Sequence, residues 1–161
     1  MATRAEPIEP IEVLGVEHVD LTVNSLERSA AFYDQVLAAL GFRRLADDAD
    51  NIRWANAHMT IGIRSARPEH SAETFNRYRA GLHHLALKAH RREDVDRFHR
   101  FLVENGIAVL DPPAEYPEYG PHYYAVFFGD PDGMKLELVH FPWGYWRTVQ
   151  SDGRDPRPRR A

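Results

Sequence analysis

Nine residues near the N-terminus, Gly15–Val23 (GVEHVDLTV), recur as Gly81–Ala89 (GLHHLALKA). With His18 set against His84, the next five residues read VDLTV and LALKA, and both alternate as strands do. Successive side chains on a strand point to opposite faces. Val19, Leu21 and Val23 therefore share one face, and His18, Asp20 and Thr22 the other. In the second copy Leu85, Leu87 and Ala89 oppose His84, Ala86 and Lys88. A chain that repeats a strand in this way is built from two copies of one unit.

The match extends past each copy of the strand. After the first, Asn24 is placed to cap a helix, with Glu27 reaching back. Leu26, Ala30, Phe32 or Tyr33, Val36, Leu37 and Leu40 then recur at helical spacing until Gly41. After the second, Glu93 and Asp94 favour a helix start, Val95, Phe98, Phe101 and Leu102 form its apolar stripe, and Asn105-Gly106 ends it. His18 to Gly41 spans 23 positions and His84 to Gly106 spans 22. Short strands come next in both halves: near 42–45, 52–55 and 59–64, then near 107–110, 123–128 and 134–141. A proline-glycine turn, Asp130-Pro131-Asp132-Gly133, joins the last two.

The expected fold is α+β: two βαβββ modules whose helix-free faces form a curved mixed sheet around a cleft. Residues 1–13 read as an arm, 14–64 as the first module, 65–80 as a linker, 81–141 as the second module and 142–161 as a tail. In the linker Ser71 is placed to cap a short helix carrying Phe75 and Tyr78. Residues 111–121 form a loop rich in proline and tyrosine. The tail starts with Trp143, Tyr145 and Trp146 and ends rich in arginine.

Composition removes several function classes. At 161 residues the chain can bury a real core. A formal net charge of -4 argues against nucleic acid as the partner. No cysteine is present, which excludes disulfides, thiolate metal sites and a cysteine nucleophile. No apolar run approaches a membrane span and the N-terminus lacks a signal-peptide core. The expectation is a cytoplasmic protein with no membrane partner.

Nine histidines bring metal and proton chemistry to the fore. On the last strand, Lys135, Glu137 and Val139 share a face opposite Leu136 and Leu138. If the two modules pair about a pseudo-twofold axis, His18, His84 and Glu137 line one cleft. Two imidazoles and a carboxylate leave the other positions of a metal ion open, which is a catalytic rather than a structural arrangement. Singly, each has a plain reading as a surface or hydrogen-bonded strand residue. The trio gains weight because the histidines occupy equivalent repeat positions. Around it, His122 and Tyr123 are the candidate acid–base groups, and Asp20, Lys88, Tyr116 and Tyr119 the candidate substrate contacts.

In these residues the chain resembles the vicinal oxygen chelate superfamily of glyoxalase I, extradiol dioxygenases, fosfomycin-resistance thiol transferases and bleomycin-resistance proteins. The resemblance is carried by HVDL from His18, LERSAAFY over Leu26–Tyr33, LGF from Leu40, HLAL from His84 and DPDGMKLEL from Asp130. It implies a divalent ion (Fe, Mn, Ni or Zn) on His18, His84 and Glu137, a small oxygenated substrate bound by bidentate chelation, and a homodimer. Lyase or isomerase, ring-cleaving dioxygenase and thiol transferase activities are all compatible with it. Glyoxalase I carries a fourth ligand, a glutamate, where this chain has Gly62, which disfavours that activity. The alternative is a metal-free protein of the bleomycin-resistance type that sequesters a small ligand, with abundant tyrosine and tryptophan in its support.

Overall fold

A computed structural model of the chain describes residues 11–45 and 50–142. The expected aromatic and arginine-rich tail from Trp143, and the first ten residues of the arm, lie outside the described residues. The first module consists of β1 (His18–Val23), α1 (Leu26–Ala39), β2 (Arg43–Arg44), β3 (Asn51–Ala55) and β4 (Thr60–Ser65). The second consists of β5 (Leu85–Ala89), α2 (Arg92–Glu104), β6 (Val109–Glu115), β7 (Tyr124–Gly129) and β8 (Lys135–His140). Each module forms a four-stranded mixed sheet. Their strand orders, β1-β4-β3-β2 and β5-β8-β7-β6, are the same when read module by module. The first strand of each pairs in parallel with the last, and the remaining pairs are antiparallel.

Alternation decides which face meets the helix. In the first sheet Leu21, Val23, Ile52, Trp54, Ile61 and Ile63 are buried with Tyr33, Val36 and Leu37 of α1. In the second, Val126, Phe128, Leu136 and Leu138 are buried with Val95, Phe98 and Leu102 of α2. The helix-free faces carry His18, Asp20 and Gly62 in one module and Glu137, Phe127 and Ala125 in the other.

The two modules are stapled through the turn before β8. Asp130 is buried and accepts from the Tyr33 hydroxyl at 3.0 Å, from Asp132 N at 2.9 Å and from Met134 N at 2.8 Å. Asp132 accepts from Asn24 N at 2.8 Å and from the Arg28 guanidinium. The second module's hairpin thus satisfies groups at and beside the N-terminus of α1, where a helix leaves donors unpaired. Burial, ahead of the neighbouring Asp130 charge, holds the Tyr33 hydroxyl well above its ordinary pKa, so it stays a donor.

Several local expectations are corrected. The cap of α1 is Ser25, whose hydroxyl accepts from Arg28 N. Asn24 instead spends its backbone on Asp132 and its amide on the Glu73 carbonyl. The linker holds a 3-10 turn, Pro68–His70, with Ser71 closing rather than opening it. Strand β5 starts at Leu85, so His84 precedes the strand. Strand β6 extends through Pro112 and Pro113, where the composition suggests a loop. Prolines survive there because β6 is an edge strand with two register shifts against β7, so missing N–H groups break no regular ladder.

Candidate functional site

The second module places a polar pair at the centre of its helix-free face. Glu137 stands opposite Ala86 on one side and Phe127 on the other. Its side chain is 1% exposed. Neither neighbour can pair a carboxylate, so the partners come from elsewhere. His84 Nε2 lies 3.0 Å from Oε2, and the Tyr123 hydroxyl donates to Oε1 at 2.6 Å. His83 Nδ1 lies 2.7 Å from His84 Nδ1. One proton arrangement satisfies all three contacts: His83 donates to His84, and His84 and Tyr123 donate to the two oxygens of Glu137.

The electrostatics follow from burial. Desolvation raises the Glu137 pKa, while the Tyr123 hydrogen bond and the Lys135 charge hold it down in part. Desolvation, followed by the charges of Lys135 and Arg77, lowers the pKa of His84 and keeps its imidazole neutral near pH 7, the state that ligates metals. Burial, the hydrogen bond to Glu137 and that residue's charge push the Tyr123 phenol far above its ordinary value. Tyr123 is therefore a committed donor, not a phenolate base.

An aromatic wall surrounds the pair. Tyr116 packs edge-on to Phe127 at 5.2 Å and stacks with Tyr119 at 6.0 Å. Tyr119 meets Tyr123 at 5.2 Å, and Tyr123 meets Phe141 at 5.3 Å. Lys135 Nζ sits 3.6 Å over the Phe127 ring and 3.6 Å from Asp111. His122 is exposed and takes a positive φ of 64°, a conformation few side chains adopt. No hydrogen bond ties it to Glu137 or His84, and it lies in the turn just before Tyr123. Lys88 is exposed on the face of Ala86, beside Val139, and desolvation lowers its pKa.

The first module does not complete this set within one chain. His18 is exposed and pairs with the adjacent Glu17. Among the described residues, no three His, Asp or Glu side chains gather closely enough to hold a metal ion. In the other neutral tautomer, with His84 Nδ1 donating to His83, His84 Nε2 and Glu137 Oε2 become an imidazole nitrogen and a carboxylate oxygen 3.0 Å apart, a donor pair that suits a first-row divalent ion. Sequence reasoning gives no role to Phe127, Lys135 or His83. Lys135 was legible, since it stands two residues before Glu137 on the same face.

Fold and site together place this chain in the glyoxalase/bleomycin resistance protein/dioxygenase superfamily, whose model matches residues 15–138. It is 32% identical over 124 residues to the uncharacterised protein YqjT of Bacillus subtilis, covering 77% of this chain and 97% of that one. It is 29% identical over 171 aligned positions to a 2-epi-5-epi-valiolone epimerase of an Actinomyces species, covering 90% and 89%. A solved structure from Bacillus halodurans superposes with a TM-score of 0.68 at 33% identity, over 78% of this chain and 95% of that one.

Proposed function

We propose that the protein is a divalent-metal-dependent enzyme acting on a small oxygenated substrate by bidentate chelation, and that its site is shared between two copies. His84 and Glu137 of one copy supply two ligands, and His18 of a second copy supplies the third. The observation that carries this reading is the His84–Glu137 pair, 3.0 Å apart at the base of an aromatic wall. Two further facts support a shared site. His18 is exposed at the start of β1, and β1 and β5 are both edge strands of their sheets. An unpaired strand edge is a ready docking surface. Two exposed apolar residues just before β1, Leu14 and Val16, extend that surface.

Bound there, the ion would act as a Lewis acid on the chelated oxygens. The chain's own residues do the rest. Tyr123 holds Oε1 of Glu137 and so leaves Oε2 facing His84. Tyr116, Phe127 and Phe141 pack into one apolar cluster, which would exclude water beside the substrate. Gly62 offers no carboxylate where glyoxalase I has one, which favours other members' chemistries. The epimerase relative favours isomerisation among them. The competing reading, metal-free sequestration of an aromatic ligand, rests on the same wall of tyrosines.

Elemental analysis of untagged protein separates the two readings. The enzyme reading expects a stoichiometric first-row metal that disappears in His84→Ala. Metal-free protein that takes up no added Mn(II), Fe(II), Ni(II) or Zn(II) overturns it.

A further inference from the structure

The helix-free face of the first sheet carries a charged cluster that the metal pair does not use. Its strands align three rows: His18, Thr60 and Ala55; Asp20, Gly62 and Arg53; Thr22, Arg64 and Asn51. Gly62 is the gap in the middle. A Cβ there would overlap Asp20 Oδ1 and stand 3.4 Å from the Arg53 side chain. Because that volume is free, the Asp20 carboxylate leans across β4. It comes within 3.8 Å of Arg53 Nη2 and 3.5 Å of Arg64 Nε.

These separations exceed the ~2.7–2.9 Å of a charge-assisted hydrogen bond. Asp20 therefore draws the two guanidiniums together without consuming their donors. Each guanidinium has a planar fork that matches a carboxylate or a phosphate, and both side chains are well exposed, at 42% and 53%. Two cations face one anion, so the cluster attracts a further negative group. Beside Arg64 a cavity is lined by Thr22, Ser65, Arg67 and His70, with Asp50 its acidic member. His70 is itself paired with Glu73 at 2.9 Å.

We infer that this face is an anion-recognition site, with Arg53 and Arg64 as its donors and Asp20 as the residue that positions them. Asp20 stands two residues from His18 on the same strand face, about 7 Å along the strand. A small molecule whose oxygens reach the ion at His18 would place a carboxylate or phosphate group on these arginines. The inference deepens the proposed function by naming the substrate's charge class, and it rests on that reading only for identifying the anion as substrate.

The experiment is calorimetric titration of the full chain with inorganic phosphate and, separately, malonate, at low ionic strength. Saturable binding is expected, weakened at least tenfold by Arg53→Gln and by Arg64→Gln, with melting temperatures unchanged because both side chains are exposed. Tighter phosphate than malonate assigns a phosphorylated substrate, and the reverse order a carboxylated one. His84→Ala should keep arginine-dependent anion binding while losing metal, so the two claims fail separately. A double variant, Arg53→Gln with Arg64→Gln, that binds both probes as tightly as the parent overturns the inference, as does the lack of any saturable binding.

Discussion

The two modules share a strand order but exchange the chemistry of equivalent positions. In the second, β5 offers small Ala86 and β8 offers Glu137, with Phe127 on the far side. In the first, the carboxylate has moved to β1 as Asp20, the last strand offers Gly62, and Arg53 stands where Phe127 would. One carboxylate lies buried under aromatic rings beside a neutral imidazole. The other leans across an open face between two guanidiniums. A repeated scaffold can thus hold one carboxylate beside a neutral imidazole and another between guanidiniums, because equivalent strand positions carry different neighbours.

The largest expected effect comes from removing the buried carboxylate. Glu137→Ala should weaken metal binding by more than a hundredfold, since even outer partners of ligands are worth roughly 10–100-fold. Competition with a fluorescent chelator reads this directly, and an unchanged affinity would erase the contrast between the modules. Next is the staple that holds the modules together. Asp130→Ala leaves the Tyr33 hydroxyl and two backbone N–H groups without their acceptor, at a cost of about 2–4 kcal/mol in urea denaturation.

Asp130 also predicts a pH dependence. Burial raises its pKa, so the folded state favours the protonated acid. Its contribution is present in full below the ordinary aspartate range and is lost as pH rises through the raised value. The stability of the parent relative to Asp130→Asn should therefore fall as pH climbs from about 4 upward. A difference that grows instead would contradict the burial argument.

Smaller effects test the first module. Gly62→Ala forces the Asp20 carboxylate aside, and because that carboxylate is the free end of an exposed side chain the cost should stay within about 1 kcal/mol. Asp20→Ala in the same chain should recover most of it, and a double-mutant cycle with no coupling would show that the two positions do not share space. The smallest is Tyr123→Phe, which keeps the ring packing and removes one hydrogen bond to Glu137. Metal affinity should drop about tenfold while stability shifts by only about 1 kcal/mol.

Much of this was legible in the sequence because it is local and repeated. His18 and His84, the helix stripes ended by Gly41 and Gly106, and the Asp130–Gly133 turn set the two modules and their faces. Glu137 was readable because alternation puts it opposite Leu136 and Leu138. What escaped depends on neighbours distant in the chain. Asn24 is a good helix cap by type, yet Asp132, 108 residues away, claims its backbone. Pro112 and Pro113 look like loop residues until β6 is known to be an edge. Gly62 reads as a missing ligand, and only the register shows that Asp20 fills its space. The sequence also brings His18 to His84 and Glu137 only through a pairing of modules that strand patterns do not specify.

Subunit complementation tests the shared site most directly. His18→Ala and Glu137→Ala proteins should each bind no metal alone. Mixed, dissociated and reassociated, they should regain it, with one intact site in each heterodimer that joins His84 and Glu137 of the first protein to His18 of the second. Full metal binding by the parent with no recovery on mixing would place the three ligands within a single chain and contradict the account.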